Sequence, residues 1–168
     1  GLLAAGNELW IGTYEHGLDV MDLRTEKVIR HYEKSNRPNS LGSNFIVTLY
    51  KRRNGEILVG TWAGLYKYNP DRDNFSILPY FNRQAQAIHE DEEGNLWVCT
   101  YGSGVYFHNN KTGIGGHFKY YPKDIHSIPN DYVNNLFEDS KKNIWLCTES
   151  GLWKYDHESR KITRFTEE

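Results

Sequence analysis

Three things are scarce in this chain: cysteine, net charge and long apolar stretches. Two cysteines in 168 residues are too few for a disulfide framework. The 20 basic and 22 acidic side chains leave a net charge of −2, so electrostatics give no reason to expect nucleic acid or an anionic membrane surface as a partner. No stretch approaches the ~18 apolar residues that cross a bilayer. The 14% of aromatic residues instead favour a globular protein rich in tryptophan and tyrosine.

Motifs of metal sites and of common catalytic centres are also missing. The seven histidines are scattered, with no His-x-His, His-x-x-x-His or Cys-x-x-Cys pair. There is no Gly-x-Ser-x-Gly elbow and no phosphate-binding loop. The acidic cluster at 91–93 falls in a polar turn, where a solvated surface competes with a calcium site as the interpretation. We therefore expect no catalytic residues, no metal and no cofactor.

What the chain does have is one short motif written four times. An apolar run preceded by Asn or Gly ends in a threonine, and a glycine followed by an aliphatic residue comes three or four residues later. The threonines are Thr13, Thr61, Thr100 and Thr148, with spacings of 48, 39 and 48 residues. Such a period is typical of propeller blades and other repeat arrays. We place the four copies at about 7–53, 54–93, 94–141 and 142–168.

Each copy is predicted to form four short antiparallel strands. The apolar run before the threonine indicates a buried strand, the segment from the glycine a second, and an alternating segment a third. A fourth strand, at 45–50, 85–89 and 132–137, leads through a charged turn into the next copy. Without helical periodicity, this pattern describes the blade of a β-propeller, and a stack of unrelated hairpins is the alternative.

The two cysteines occupy the same place in copies three and four, where the first two copies have Gly12 and Gly60. Equivalent places on neighbouring blades are expected to lie further apart than the ~7 Å between Cα atoms that a disulfide tolerates. We predict that Cys99 and Cys147 are free, buried thiols.

The order of these features resembles the two-component regulator propeller repeat. The resemblance rests on Asn-x-Leu-Trp-Ile-Gly-Thr at 7–13, the Gly-Leu pair, an Asp or Asn that ends the second strand, and the loop at 39–44 that leads into Ile46. Copy two departs from it with Leu58 in place of tryptophan. Proteins of that family are periplasmic sensor regions of bacterial hybrid two-component systems, which typically regulate the use of complex carbohydrates. They resemble two propellers followed by an immunoglobulin-like domain, a membrane helix and a kinase.

The resemblance implies an all-β fold: a β-propeller of about four blades of four antiparallel strands, forming an incomplete part of a larger propeller of about seven blades. The chain, which starts with Gly1, is interpreted as an excerpt. Exposed blade faces would then contact the rest of the propeller or a second copy. Closure as a four-bladed ring is the alternative, and it would require residues 1–7 to pair with the last blade.

The candidate ligand-binding residues lie on the loops between the first and second strands of the copies. They are Tyr14, His16, Trp62, Tyr101 and Glu149, beside polar residues of the longer loops, namely Arg37, Asn39, Asp124 and His126. In propellers these loops share one rim. Aromatic faces flanked by polar groups suit sugars, which offer apolar C–H faces and edge hydroxyls. The alternative is that Tyr14, Trp62 and Tyr101 fill a central channel.

The expected function is that of a ligand-sensing part of the periplasmic region of a hybrid two-component sensor histidine kinase, responding to a carbohydrate. The chain itself is then not an enzyme, and the kinase lies elsewhere in the parent protein. One alternative is a propeller scaffold that binds proteins. Another is a propeller lyase or hydrolase, for which Glu15, His16 and Glu149 are the candidate catalytic groups.

Overall fold

A computed structural model describes residues 1–109 and 111–165, so the predicted end of the fourth copy at 166–168 lies outside it. The described residues form sixteen strands and contain no helix. No helix suited to crossing a membrane is therefore found in this part of the chain. The chain divides into two compact units, Gly1–Ala85 and Gln86–Glu168. Each unit contains two four-stranded antiparallel sheets in which the strands follow one another in chain order.

The first unit is built from β1 to β8. The strands of its first sheet are β1 Leu2–Ala5, β2 Glu8–Gly12, β3 Leu18–Asp22 and β4 Lys27–Tyr32. Those of its second sheet are β5 Ile46–Lys51, β6 Ile57–Thr61, β7 Gly64–Asn69 and β8 Asn74–Ile77. The two sheets share an aromatic core, and its buried members are Trp10, Leu18, Val20, Leu41, Ile46, Val59, Tyr66 and Phe75.

The second unit repeats this plan with β9 to β16. The strands of its first sheet are β9 Ala85–Glu90, β10 Asn95–Thr100, β11 Val105–Asn109 and β12 Gly115–Phe118. Those of its second sheet are β13 Val133–Glu138, β14 Ile144–Thr148, β15 Gly151–Tyr155 and β16 Ile162–Phe165. Its buried core joins Ala87, Trp97, Cys99, Val105, Ile128, Val133, Ile144, Leu146, Trp153 and Ile162.

The sheets are offset from the sequence copies by one strand. The segment predicted as the fourth strand of a copy is the first strand of the next sheet: β5 pairs with β6, with Tyr50 opposite Leu58 and Lys51 opposite Ile57. The reason is local, because a short turn such as the one at 52–56 returns the chain as a hairpin. Residues 2–5 pair in the same way with β2, with Leu2 opposite Ile11. They are therefore not the outer strand of the last sheet, as closure in a four-bladed ring would require.

The prediction for the cysteines is correct for one thiol and wrong for the other. Both are free, but Cys99 is fully buried while Cys147 is exposed. Burial raises the pKa of the Cys99 thiol well above its ordinary value. On β14, Ile144 and Leu146 point into the core, and side chains alternate along a strand. Cys147 therefore lies on the opposite face of the last sheet.

Candidate functional site

One hydrogen bond builds the same loop in every copy. The hydroxyl of the threonine at the end of the apolar run donates to the carbonyl oxygen of the glycine at or just before the start of the next strand. The distances are 2.8–3.0 Å, in the pairs Thr13–Gly17, Thr61–Gly64, Thr100–Gly104 and Thr148–Gly151. Gly17 has a φ of 72°, and a Cβ there would lie 2.2 Å from the carbonyl oxygen of Tyr32. The loop therefore requires glycine, and it presents the residue after the threonine at its tip.

In the first unit, two of the predicted residues come together in an aromatic cluster. The ring of Trp62 stacks on Phe45, with centroids 4.2 Å apart and planes inclined by 9°. Tyr14 meets both rings edge-on, at 5.0 Å from Phe45 and 5.6 Å from Trp62. Tyr14 is 65% exposed and Trp62 44% exposed. We call Tyr14, Phe45 and Trp62 the aromatic tip cluster; it keeps large apolar faces open to solvent.

His16 lies on the same loop as Tyr14 and is exposed. Its backbone N–H donates to the hydroxyl of Thr13 over 3.0 Å, which fixes the loop rather than the imidazole. Among the described residues the ring of His16 stacks on no aromatic side chain.

In the second unit, the other two predicted residues are arranged around Tyr132. The rings of Tyr101 and Tyr132 meet edge-on, with centroids 4.8 Å apart, and Tyr101 is 48% exposed. The backbone N–H of Glu149 donates to the carbonyl oxygen of Tyr132 over 3.3 Å. The side chain of Asn130 donates to the hydroxyl of Ser150 over 2.7 Å, next to Glu149. This tip combines two phenol rings with an exposed carboxylate.

Phe45 and Tyr132 were missed by the sequence prediction. Each lies immediately before the first strand of a sheet and sixteen residues before the threonine of that sheet. The position is regular, so a signal was available. Both were predicted as the first residues of strands, at 45–50 and 132–137, and were therefore not counted among the loop residues.

The polar residues of the longer loops line other cavities. Arg37 and Asn39 border a cavity of about 410 Å³ in the first unit together with Asp73 and Phe75, and no member of the aromatic tip cluster lines it. Asp124 accepts hydrogen bonds from the backbone N–H of His126, through its carboxylate, and of Ser127, through its carbonyl. These residues hold their own loops in shape. Within residues 1–109 and 111–165, no three His, Cys, Asp or Glu side chains are grouped in a way that could hold a metal ion.

The comparisons with known proteins point to one family. Residues 79–102 and 127–150 match the family model described as "Two component regulator propeller". Over 163 residues the chain is 28% identical to Histidine kinase P4 of Formosa agariphila, covering 90% of this chain and 12% of that protein. The resemblance expected from the repeat motif is confirmed.

The solved structures agree on the fold. The chain superposes on the extracellular domain of BT3049 from B. thetaiotaomicron, described as a hybrid two component system, with a TM-score of 0.81 and 20% identity; 96% of this chain and 22% of that one are covered. It also resembles virginiamycin B lyase from Staphylococcus aureus, with a TM-score of 0.68 and 16% identity over 99% of this chain and 55% of that one. At such identities the likeness shows the fold alone. The expected fold class, an all-β protein of four-stranded propeller blades, is confirmed.

The chain is short beside its relatives. It spans 12% of the histidine kinase and 22% of the BT3049 extracellular domain. Its own residues place aromatic faces, a carboxylate and an imidazole at loop tips, and such groups can contact apolar and polar parts of a small molecule.

Proposed function

We propose, for a chain that carries two-component regulator propeller repeats, a role as a ligand-sensing part of the periplasmic region of a hybrid two-component sensor histidine kinase. The repeat match and the likeness to an extracellular domain of a hybrid two component system support the assignment. The chain is not itself an enzyme in this proposal, and the kinase belongs to the rest of the parent protein.

The ligand we propose is a carbohydrate, and the observation that carries this is the aromatic tip cluster. Trp62 and Tyr14 stand at right angles, with planes inclined by 87°, so that together they form a corner. A pyranose ring has an apolar C–H face for one aromatic plane and hydroxyls for polar neighbours such as His16. In the second unit, Tyr101 and Glu149 provide an aromatic face and a carboxylate that accepts hydrogen bonds from sugar hydroxyls.

Calorimetric titration of the chain with a panel of neutral oligosaccharides tests the proposal. Trp62→Ala is expected to weaken binding about fivefold or more, because it removes the stacking face, whose loss is worth roughly 1–3 kcal/mol. The fluorescence of Trp62 should change on binding. Phe137→Ala serves as the matched control, since Phe137 is 66% exposed on β13, away from these loops. Equal affinities for wild type and for both Trp62→Ala and Tyr101→Ala would refute the carbohydrate proposal.

A second role, binding a further sheet or a second copy, is favoured by the uncovered face of the last sheet. Phe137, Leu152 and Phe165 are 66%, 42% and 42% exposed there. Trp145 and Phe165 contact each other on this face, with ring centroids 5.1 Å apart. In the first sheet of the same unit, the equivalent residues Trp97 and Cys99 are buried.

We propose that this face packs on the remaining propeller in the parent protein and on another copy in the isolated chain. Light scattering after gel filtration should then show a concentration-dependent dimer. Leu152→Lys should shift it to the monomer without changing the circular dichroism. The exposed control Ile125→Lys, on a loop, should leave the dimer intact. A wild type that is monomeric at all concentrations would refute this part.

A further inference from the structure

A groove in the first unit contains hydrogen-bond donors for which residues 1–109 and 111–165 provide no acceptor. It has a volume of about 740 Å³ and lies at the turns between β1 and β2, β5 and β6, and β7 and β8. The aromatic tip cluster is at the loops between β2 and β3 and between β6 and β7. Since successive turns of a meander alternate between the two ends of its sheet, the groove is at the opposite end from that cluster. Trp10 and Arg30 both line it.

The unsatisfied donors are the indole Nε1–H of Trp10 and the Nε–H of Arg30. Both nitrogens are buried and have no hydrogen-bond partner among the described residues. Trp10 is 1% exposed. The Nη2 of Arg30 is already bound to Glu8 over 2.7 Å, and that ion pair does not use the buried Nε–H. A buried N–H without an acceptor costs about 1–3 kcal/mol, so two of them beside one groove call for an acceptor.

The second unit shows which acceptor this position takes. Trp97 is the equivalent of Trp10, and its Nε1–H donates to the carboxylate of Asp91 over 2.7 Å. Trp145 donates in the same way to Asp139 over 2.8 Å. In each case the carboxylate follows directly after the first strand of the sheet. In the first unit the matching place, opposite the residue two before the tryptophan, is taken by Ala5, so no carboxylate stands there.

The charges around the groove admit an anion. Glu8 is paired with Arg30, and Glu56 is paired with Arg52 and Lys67 at 3.0 and 3.4 Å. The Asp71 carboxylate also lines the groove, as does Lys51, which forms no ion pair within the described part of the chain. The Arg30 guanidinium lies over Trp10, 5.7 Å from the ring centroid, and the Arg30 side chain is 29% exposed.

We propose that this groove binds the carboxylate of a small acidic ligand, which accepts from Trp10 Nε1–H and Arg30 Nε–H as Asp91 accepts from Trp97. The site does not depend on the proposed function, because it uses other residues at the other end of the strands. The buried indole of Trp153 also lacks a partner, but no second unsatisfied donor stands beside it among the described residues.

Nuclear magnetic resonance of the five indole N–H groups tests the proposal in the intact chain. The probes are sodium acetate, sodium glucuronate and glucose, at constant ionic strength set with sodium chloride, and Trp10→Phe assigns the resonance. Both carboxylates should move the Trp10 signal downfield with saturation, while glucose leaves it in place. The signals of Trp97 and Trp145, held by internal carboxylates, are the built-in controls. A shift with glucuronate alone supports an acidic sugar in the same groove.

Two variants sharpen the test. Arg30→Lys keeps the charge but removes the Nε–H, and it should weaken glucuronate binding about tenfold, the effect of one lost charge-assisted hydrogen bond. Ala5→Asp offers a carboxylate in cis, because Ala5 packs on the Trp10 core and lines the groove. It should shift the Trp10 signal without ligand and abolish the titration. The wild-type titration is enough to refute the proposal: it does so if the Trp10 signal does not shift with either carboxylate, or if glucose shifts it by the same amount.

Discussion

The two units have the same order of strands and loops, and most equivalent residues are 87 positions apart in the sequence. Thr13 corresponds to Thr100, and Thr61 to Thr148. The long loops agree in detail. The backbone N–H of Lys34 donates to the side chain of Asn44 over 2.6 Å, and that of Tyr120 donates to Asp131 over 2.7 Å. The hydroxyls of Ser40 and Ser127 each close their own loop by donating to a backbone carbonyl, over 2.8 and 3.0 Å.

The two units differ in side chains that form hydrogen bonds with one another. In the first unit, the hydroxyls of Tyr32 and Tyr68 both donate to the carboxylate of Asp73. In the second unit, Phe118 takes the register position of Tyr32, and Arg160 takes the place of Asp73. One hydroxyl and its acceptor have disappeared together. At the Tyr68 position the second unit keeps a tyrosine, Tyr155, so the shared backbone tolerates the loss of the carboxylate with only one of its two donors.

The same contrast holds at the loop tips. The aromatic tip cluster of the first unit contains Trp62, and the second unit has Glu149 at that place. Phe45 is replaced by Tyr132, while Tyr14 and Tyr101 are alike. One scaffold thus presents an apolar tip in one unit and a mixed, charged tip in the other.

The strongest test of a common backbone is to break it at equivalent glycines. Gly17→Ala and Gly104→Ala should each destabilise the protein by at least about 3 kcal/mol, because strained backbone adds to a steric clash. The added Cβ would lie 2.2 Å from the Tyr32 carbonyl oxygen in one unit and 2.1 Å from that of Phe118 in the other. Denaturant unfolding measures the loss of stability.

Gly55→Ala is the matched control for these glycines. Gly55 also has a positive φ, of 88°, but nothing lies within 4 Å of a Cβ built there. It should cost only about 1 kcal/mol, the price of the backbone conformation itself. A wild-type-like stability for either Gly17→Ala or Gly104→Ala would contradict the shared loop geometry.

The repeat motif predicted most of the fold, because its physical causes are local. The run ending at Thr100 is apolar on both faces, so it predicts a buried strand, and Leu96 to Thr100 are all buried. The Thr–Gly pairs predicted tight loops, and each contains the same hydrogen bond. Strand existence and chain order need no long-range information.

The burial of individual side chains could not be predicted from the sequence, because it depends on which sheet covers which face. Cys147 follows the same pattern as Cys99, yet it is exposed, because burial depends on the neighbouring sheet and not on the strand. The grouping of strands into sheets also differs by one strand from the sequence copies, since a repeat has no intrinsic starting point. Two of the three members of the aromatic tip cluster were predicted: Tyr14 and Trp62 were proposed, and Phe45, whose ring contacts both, was not.

The equivalent tryptophans of the two units, Trp10 and Trp97, should give the next largest difference in stability. Trp97→Phe should destabilise the protein by about 2 kcal/mol, because it leaves the buried carboxylate of Asp91 with one donor fewer. Trp10→Phe keeps the ring stacking and removes an N–H that has no partner, so it should cost less than about 1 kcal/mol. Equilibrium unfolding in buffer without carboxylates measures both. Equal losses for the two variants would contradict the difference between the units.

Acid should weaken both units through carboxylates that differ in their partners. Hydrogen bonding from Trp145 lowers the pKa of Asp139 to about 2, and the Tyr32 hydroxyl lowers the pKa of Asp73. Because both folded pKa values lie below the unfolded value of about 4, this stabilisation is complete above that pH and is lost as the pH falls through the folded pKa. Unfolding curves between pH 6 and pH 2, roughly the range of these pKa values, should show the loss.

Neutral variants isolate each carboxylate. Asp139→Asn and Asp73→Asn should each lower stability at neutral pH and flatten its decline in acid, since the titrating group is gone. Asp71→Asn, in the turn that also contains Asp73, removes a charge without removing an acceptor of the two tyrosines. An acid decline that is as steep in Asp139→Asn as in the wild type would exclude Asp139 as a contributor.

The smallest expected change in stability comes from substituting glycine at one turn position, and its sign is opposite in the two units. One turn position adopts a positive φ in all four copies: Glu26 at 55°, Asp73 at 49°, Gly113 at 71° and Arg160 at 56°. Arg160→Gly should stabilise by up to about 1 kcal/mol, because glycine adopts this conformation without strain. Asp73→Gly relieves the same strain but leaves the hydroxyls of Tyr32 and Tyr68 without their acceptor, so it should destabilise. Thermal unfolding of both variants decides whether the side chain or the backbone dominates at this position, and a gain in stability for Asp73→Gly would show that the tyrosine hydroxyls find water as readily as the carboxylate.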